Sequence, residues 1–292
     1  MEAGRIGKRV LVTGADGFAG DIVAQYLQEN GFQVTGTVHK HLAQGNFRTI
    51  ACNLAEPWSI EGDFDAIVHT AGSLPYQHPT MLDYKQCNID TMQNLVEFAR
   101  RTGVGRIINF STIGIYGDFQ GSTAVNEVSP RVNPDGYGLS KYMAECMLRE
   151  SGLINISLRM PGLLGIGARP VWFTNTVEKF RRGEQVRIYA PDFQTKNFVW
   201  LPDLAAFVSR LLTMSTWPHD RLVLACRESI SIRELVNEMK RLTGAASEIV
   251  VSESERPPFC LDPTRALAMG YKSLTPQEIV REYIEGLDKY AN

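Results

Sequence analysis

Tyr137 and Lys141 stand four residues apart in the stretch Tyr-Gly-Leu-Ser-Lys, a spacing that puts both side chains on one helical face, one turn apart. A lysine ammonium at that separation, with the positive end of the helix beside it, stabilises a tyrosinate and draws the phenol toward the pKa a general acid/base needs. An ordinary surface pair has the same spacing, and the chain holds ten tyrosines. A second source of chemistry is the hydroxyl pair Ser111-Thr112, which closes the apolar run before Ile-Gly-Ile-Tyr-Gly117. A hydroxyl at a strand end can bond a substrate oxygen or satisfy a backbone group. The third is Val10-Leu-Val-Thr-Gly-Ala-Asp-Gly-Phe-Ala-Gly20, with glycines at 14, 17 and 20. Gly14 permits a tight turn, Gly17 lets the backbone approach a pyrophosphate, and Gly20 lets a helix pack close to a strand. The first-turn N–H groups of that helix then face an anion.

These groups need elements that hold them in place. The first half alternates apolar runs with helical patterns. Strands are expected at Arg9–Thr13, Gln33–Val38, Arg48–Cys52, Ala66–His69, Arg106–Ser111 and Asn155–Arg159, and helices at Phe18–Asn30, Met81–Arg101 and Tyr137–Ser151. Near-continuous apolar strands alternating with helices predict a Rossmann-type doubly wound parallel sheet, with ligands at its carboxyl edge. After Pro161 the regularity breaks. A helix is expected near Val171–Arg182, a strand at Phe198–Trp200 leading to a helix from Asp203, and a strand at Arg221–Ala225. Ser231–Thr243 follows as a helix with Ser231 and Glu234 as a capping box, and Thr275–Tyr290 as a last helix with Pro276 in its first turn. The predicted organisation is a dinucleotide-binding domain over 1–165, to which 195–226 returns, and a smaller interleaved α/β substrate lobe from 166–194 and 227–292.

A net charge of −2 over 292 residues gives no electrostatic reason to expect nucleic acid or an anionic membrane as partner. No apolar run approaches a membrane span, and the polar segment Met1 to Lys8 is unlike a signal peptide. Five scattered cysteines without a C-x-x-C pair or a histidine cluster predict reduced thiols in a cytoplasmic protein and no metal site.

Taken together, T-G-x-x-G-x-x-G, then His69-Thr-Ala-Gly72, Asn88, S-T-x-x-x-Y-G and Y-x-x-x-K closely resemble the extended short-chain dehydrogenase/reductases, in particular the nucleotide-sugar epimerases, dehydratases and reductases. The resemblance covers nearly the whole chain. It implies Tyr137 as acid/base, Lys141 as its electrostatic partner on the nicotinamide ribose, and Thr112 as the catalytic hydroxyl, flanked by Ser111. It places the cofactor against Gly14, Asp16, Gly17, Phe18, Ala19 and Gly20, against His39, Lys40, Asn53 and Leu54, and against Ala71, Gly72, Asn88, Ser111 and Pro161. The implied substrate contacts are Ser73, Thr112, Ile113, Tyr137, Lys196 and Arg256. Asn197-Phe-Val-Trp-Leu-Pro-Asp203 and Arg256-Pro257 match the nucleotide-sugar branch, with Lys196 where an Arg often faces the nucleotide and Arg256 suited by charge and fork geometry to a diphosphate. A homodimer is implied as well, through helices 81–101 and 137–151, where Leu139, Met143 and Met147 form an apolar stripe that is equally compatible with core.

Where NAD-specific sites end the second strand with an acid, this chain has Val38, followed by His39 and Lys40. Two potential cations in place of an acid predict NADP(H), with NAD(H) as the alternative. Gly162 replaces the family's usual diphosphate-binding Asn, and Ile113-Gly114 replace the Asp-Glu pair of the dehydratases, which argues against sugar dehydration. The expected reaction is NAD(P)-dependent hydride and proton transfer on a keto-sugar, of 4-keto reductase type. A 4-epimerase is the alternative, and a non-catalytic cofactor-sensing protein a third.

Overall fold

The computed structural model describes residues 7–39, 45–75, 79–119, 124–253 and 259–291. β1 (Arg9–Thr13) runs through the glycine turn into α1 (Phe18–Glu29), followed by β2 (Gln33–Val38), β3 (Arg48–Ala51) and β4 (Ala66–His69). A helical stretch follows in three parts: α2 (Met81–Tyr84), a π-turn over Lys85–Asp90 and α3 (Thr91–Thr102). β5 (Ile107–Thr112) enters a 3₁₀ turn at Ile113–Tyr116, and α4 (Gly136–Glu150) leads to β6 (Asn155–Met160). Then come β7 (Leu163–Leu164), α5 (Trp172–Arg181), β8 (Val186–Tyr189), β9 (Gln194–Thr195), β10 (Val199–Trp200) and α6 (Leu201–Thr213). The chain continues with β11 (Arg221–Val223), β12 (Ile230–Ser231), α7 (Ile232–Thr243), β13 (Ile249–Ser252), α8 (Thr264–Ala268) and α9 (Pro276–Ala291).

Seven strands form the central parallel sheet in the order β11-β6-β5-β4-β1-β2-β3. The chain winds outward from β1 in both directions, so the crevice for a ligand lies at the carboxyl ends of β1 and β4, where the order reverses. Leu11, Val12, Ile67, Val68, Ile107, Ile108, Ile156 and Leu158 are wholly buried, which is why these strands read as apolar runs without alternation. Below the sheet, Trp58 and Phe98 pack with ring centroids 5.4 Å apart among Leu95, Ala99 and Leu148. Burying each such large side chain contributes about 1.5–3 kcal/mol.

The helix expected to run unbroken from Met81 to Arg101 carries a π-turn in its middle. A π-turn widens the helix by one residue and turns the side chains around it, a feature frequent at functional sites. Periodicity alone did not reveal it.

By compactness the chain forms two units. The first comprises Met1–Phe119, Glu127–Met160 and Leu204–Leu222, and the second Gln120–Asn126, Pro161–Asp203 and Val223–Asn292. The second unit pairs β7 with β10 and β8 with β13 in parallel, and β9 with β12 antiparallel. Its core gathers Phe173, Phe180, Trp200, Leu235, Met239 and Tyr283, and Phe173 meets both Phe198 and Tyr283 edge-on at 5.8 and 5.6 Å. The capping box of α7 forms as expected: Glu234 N–H donates to Ser231 Oγ at 3.1 Å, and Ser231 N–H to Glu234 Oε2 at 3.1 Å. Asn197 acts as a clamp, donating to the Phe259 carbonyl at 2.7 Å and accepting from Leu261 N–H at 2.9 Å.

Candidate active site

The glycine turn is built by close approach. Gly14 has φ +70°, and a Cβ there would lie 2.9 Å from the Ala71 backbone, so both conformation and space exclude a side chain. A Cβ on Gly20 would stand 2.1 Å from the Gly14 carbonyl oxygen, so α1 rests directly on the turn. Ala15 N–H donates to the Thr37 carbonyl at 2.9 Å and Gly14 N–H to Thr37 Oγ1 at 3.1 Å, which stitches the turn to the end of β2. Gly17 caps α1 without any side-chain bond. The first-turn amides at Phe18, Ala19 and Gly20 are thereby left to an external anion. This cradle fits a pyrophosphate.

At the end of β2, His39 N–H donates to Asp16 Oδ2 at 3.0 Å. The expected 2′-phosphate site rested on His39 and Lys40. Lys40 lies outside the described residues, and a carboxylate meets the backbone of the other. Asn53 is engaged in its own turn, donating to Glu56 at 2.8 Å and accepting from Ala55 N–H at 3.2 Å. The Leu54 carbonyl accepts from Trp58 Nε1 and Asn94 Nδ2.

The catalytic candidates meet where β5 ends and α4 begins. Thr112 Oγ1 accepts the Gly114 N–H at 3.0 Å and so starts the 3₁₀ turn that contains Ile113. Asp135 Oδ1 accepts the Gly138 N–H at 2.7 Å and fixes the first turn of α4. Gly138 then lies against Gly114, where a Cβ would come within 2.2 Å of the Gly114 oxygen. Gly114 itself separates two reactive groups, because a Cβ there would stand 3.4 Å from Thr112 Oγ1 and 3.7 Å from Tyr137 Cδ1. On its other side the Tyr137 ring meets Tyr84 with centroids 6.0 Å apart. Thr112 and Tyr137 are therefore neighbours, as their spacing from different elements could not establish.

Asn88 sits in the π-turn, buried, and joins three segments. Its Oδ1 accepts Ser73 N–H at 3.0 Å and its Nδ2 donates to Ser140 Oγ at 2.8 Å, while Ser140 Oγ donates to the Tyr137 carbonyl at 2.8 Å. A Cβ on Gly72 would fall 2.8 Å from Asn88 Oδ1 and 3.7 Å from Lys141 Nζ, so Gly72 borders the lysine. Burial lowers the Lys141 pKa to about 8, opposed by the Glu145 charge. His69, bonded through Nδ1 to Thr13 Oγ1 at 2.7 Å, is pushed down to about 3 by burial and by Lys141, and stays neutral.

Sequence reasoning missed a charged network beneath these residues. Glu145, one turn beyond Lys141, takes Arg159 Nη2 at 2.7 Å and Nε at 3.1 and 3.2 Å, and Ser111 Oγ also donates to it. Arg159 is wholly buried and Glu145 nearly so; the guanidinium also donates to Tyr116 Oη at 2.9 Å and the Glu127 carbonyl at 3.0 Å. Burial alone would depress the Arg159 pKa, but its hydrogen bonds and the Glu145 charge raise it overall. The available signal was the 137–141–145 spacing and a lone arginine inside an apolar strand. The Ser111 hydroxyl, expected on the cofactor side, is committed to this network.

In the second unit, Pro161 opens the segment after β6, and the Lys196 carbonyl accepts from Phe198 and Cys226 N–H groups at 2.8 and 2.9 Å. Arg256 lies outside the described residues. Among the described residues no group of three His, Cys, Asp or Glu could hold a metal, and no helix is long and apolar enough to cross a membrane.

A doubly wound parallel sheet carrying a glycine turn, with a Tyr–Lys pair and a strand-end hydroxyl at its carboxyl edge, defines a nicotinamide-dependent oxidoreductase of the extended short-chain type. Residues 10–224 match the NAD dependent epimerase/dehydratase family, and the chain belongs to it. It is 28% identical to a dTDP-4-dehydro-6-deoxy-D-allose reductase of a Streptomyces species over 279 residues, 85% of each chain. It is also 28% identical to a UDP-glucose 4-epimerase of Azospirillum brasilense, over 81% of this chain and 78% of that one. The fold is that of the Bordetella bronchiseptica enzyme WbmH, solved in complex with NAD+, with a TM-score of 0.81 at 21% identity over 98% of this chain and all of that one.

Proposed function

We propose that this protein is an oxidoreductase of a nucleotide-linked keto-sugar, of 4-keto reductase type. The observation that carries the reading is the meeting of Thr112 and Tyr137 across Gly114, with Lys141 one turn along α4. Thr112 Oγ1 accepts from Gly114, which leaves its proton to be donated to a substrate oxygen. Tyr137 gives or takes the proton at that oxygen, and the Lys141 ammonium stabilises the phenolate that results. The nicotinamide, when bound, supplies or accepts the hydride. Gly14, Gly17, Phe18, Ala19 and Gly20 hold its pyrophosphate with Ala71 and Gly72 beside it, Asn53 and Leu54 hold the adenine end, Pro161 borders the nicotinamide, and Asn88 supports the active-site backbone. Ser73 and Ile113 border the sugar, Lys196 faces the nucleotide, and Arg256 is the cation assigned to the diphosphate. Ile113 and Gly114 beside Thr112 offer no carboxylate pair, so elimination chemistry is not part of the reading.

A specific observation favours a second reading, 4-epimerisation. The Azospirillum brasilense relative is a UDP-glucose 4-epimerase, and an epimerase keeps its NAD between turnovers. Mass spectrometry of nucleotide released from the purified protein separates the two. An exchangeable site, with net transfer of deuterium from labelled NAD(P)H to a dTDP- or UDP-4-keto-sugar, is the expected result. Stoichiometric tightly held NAD and no net transfer would replace the reductase with the epimerase.

We assign the working form as a homodimer in the cytoplasm. Met81, Leu82, Leu139 and Met143 are exposed apolar residues on the α2 and α4 stretches, whereas Met147 packs against the core. All five cysteines carry free thiols, as a reducing compartment requires. Light scattering at micromolar concentration tests the dimer, and Leu139→Lys with Met143→Lys is expected to yield monomer.

A further inference from the structure

The reacting groups stand on different elements, Thr112 at the end of β5 and Tyr137 and Lys141 in the first turns of α4. Neither element alone fixes one set against the other. The sheet register and α4 together do. Ser111 and Arg159 lie opposite each other on β5 and β6, and one carboxylate from α4 binds both. Glu145 Oε1 accepts from Ser111 Oγ and from Arg159 Nε, and Oε2 accepts from Arg159 Nη2 at 2.7 Å. All three side chains are buried.

Arg159 extends the junction. Its Nη1 donates to Tyr116 Oη at 2.9 Å and to the Glu127 carbonyl at 3.0 Å, which ties the 3₁₀ turn after Thr112 to the same point. An ion pair withdrawn from water contributes little to stability by itself, because desolvation offsets the attraction. Its place beneath the site, where β5, β6 and α4 converge, gives it another use.

Resting on the reading of Thr112, Tyr137 and Lys141 as the reacting set, we propose that Glu145 is a positioning residue for the reaction. Through Ser111 it seats the Thr112 hydroxyl, and its charge one turn beyond Lys141 holds that side chain as the ammonium beside Tyr137. Successive side chains of a strand leave on opposite faces, so drawing Ser111 to Glu145 sets the direction of Thr112, whose backbone is extended at φ −135° and ψ 152°. Glu145 and Lys141, four residues apart, share one face of α4. Burial drives the lysine toward its neutral form, the Glu145 charge opposes this, and the balance lies at about 8. The other titratable groups around the pair are His69 from β4, Tyr137 from α4, Tyr116 from the 3₁₀ turn, Glu127 and Arg159. His69 is pushed down to about 3 and Tyr116 up to about 12, both chiefly by burial, so neither carries charge near neutrality. Glu127 acts on Tyr116, and Glu145 is the anion that acts on the lysine.

The test follows Lys141 itself as well as turnover. Protein grown with isotope-labelled lysine is titrated by NMR, and the Lys141 signal is assigned by its loss in Lys141→Arg. The wild type is compared with Glu145→Gln, with Glu145→Gln plus Arg159→Met, and with Ser111→Ala. Removing the Glu145 charge is expected to lower the Lys141 midpoint by at least about one pH unit, whereas Ser111→Ala leaves it in place. The double variant has no stranded guanidinium and serves if Glu145→Gln melts early. With a dTDP- or UDP-4-keto-sugar, the alkaline limb of kcat moves down with the midpoint in the Glu145 variants. Ser111→Ala instead lowers kcat by about tenfold or more with KM and pH profile unchanged, because only the Thr112 hydroxyl is displaced. A Lys141 midpoint that stays put in the Glu145 variants, or full kcat in Ser111→Ala, overturns the positioning role and leaves the reaction intact. A wild type that turns over no keto-sugar overturns the reaction, and the Lys141 titration still decides the role of Glu145.

Discussion

Two regions of the first unit solve the same problem, holding reactive groups still, by opposite means. The glycine turn does it with backbone: Gly14 and Gly20 remove side chains so that strand, turn and helix touch. The end of β5 and the start of α4 do it with buried charge. Glu145 accepts from Arg159 and Ser111 in the interior and joins β5, β6 and α4 beneath Thr112 and Lys141. The backbone solution is cheap and written in consecutive residues. The charge solution is costly, because two ions leave water, and it depends on residues 111, 145 and 159 meeting in space.

Breaking the charged region is expected to give the larger effects. Tyr137→Phe removes only a hydroxyl, so folding and nucleotide binding persist while turnover falls by about 10²–10⁴. Steady-state rates with a 4-keto-sugar check this, and full activity would remove Tyr137 from the mechanism. Glu145→Ala strands the Arg159 guanidinium in the interior and should cost about 3–5 kcal/mol of stability, read from urea unfolding. A loss below about 1 kcal/mol would mean that water reaches the pair.

Lys141 sharpens the comparison through pH. Its folded pKa is about 8 and its ordinary value 10.5, so the buried charge is present below about pH 8 and burdens the fold there. As pH rises from about 8 to 10.5 the unfolded chain keeps the proton that the folded one has lost, so this group's contribution to stability increases. Turnover moves the other way, because a neutral lysine no longer supports the phenolate. Lys141→Met should lack the alkaline gain in stability, and wild-type turnover that stays flat to pH 9.5 would contradict the assignment. His69 gives the acid counterpart. Buried neutral with a pKa near 3 against 6.5, it makes stability fall as pH drops from about 6.5 toward 3.

The smallest effect belongs to the exposed rim. Lys85 Nζ meets Asp90 at 2.7 Å across the π-turn, but the lysine is more than half exposed. Lys85→Ala should change stability by less than about 1 kcal/mol, and less again at high salt. A larger loss would show that the pair holds the π-turn, and Asn88 with it, in shape.

Much of this molecule was legible before folding. Strands at Arg9–Thr13, Gln33–Val38 and Ala66–His69 follow from apolar runs bounded by turn residues, and the Ser231–Glu234 box and Pro276 from local hydrogen-bond chemistry. β5 and β6 each extend one residue beyond expectation, to Thr112 and Met160, because these two paired strands continue the ladder into the site. α6 begins at Leu201 rather than Asp203, with Pro202 in its first turn. The π-turn escaped notice because its widened spacing is set by packing at Asn88, which must reach Ser73 and Ser140 together.

The candidate site divides along the same line. The glycine spacing and the Tyr137–Lys141 interval are short-range facts, fixed by the pitch of one helix and the geometry of one turn, and the sequence determined them by itself. The bond between the Asp16 carboxylate and the His39 amide was not foreseen, because no local rule joins residue 16 to residue 39. That contact, the closeness of Thr112 to Tyr137, and the ion pair of Glu145 with Arg159 join residues far apart in sequence. Only the winding of the sheet brought them together, and only burial made a charge or an amide there matter.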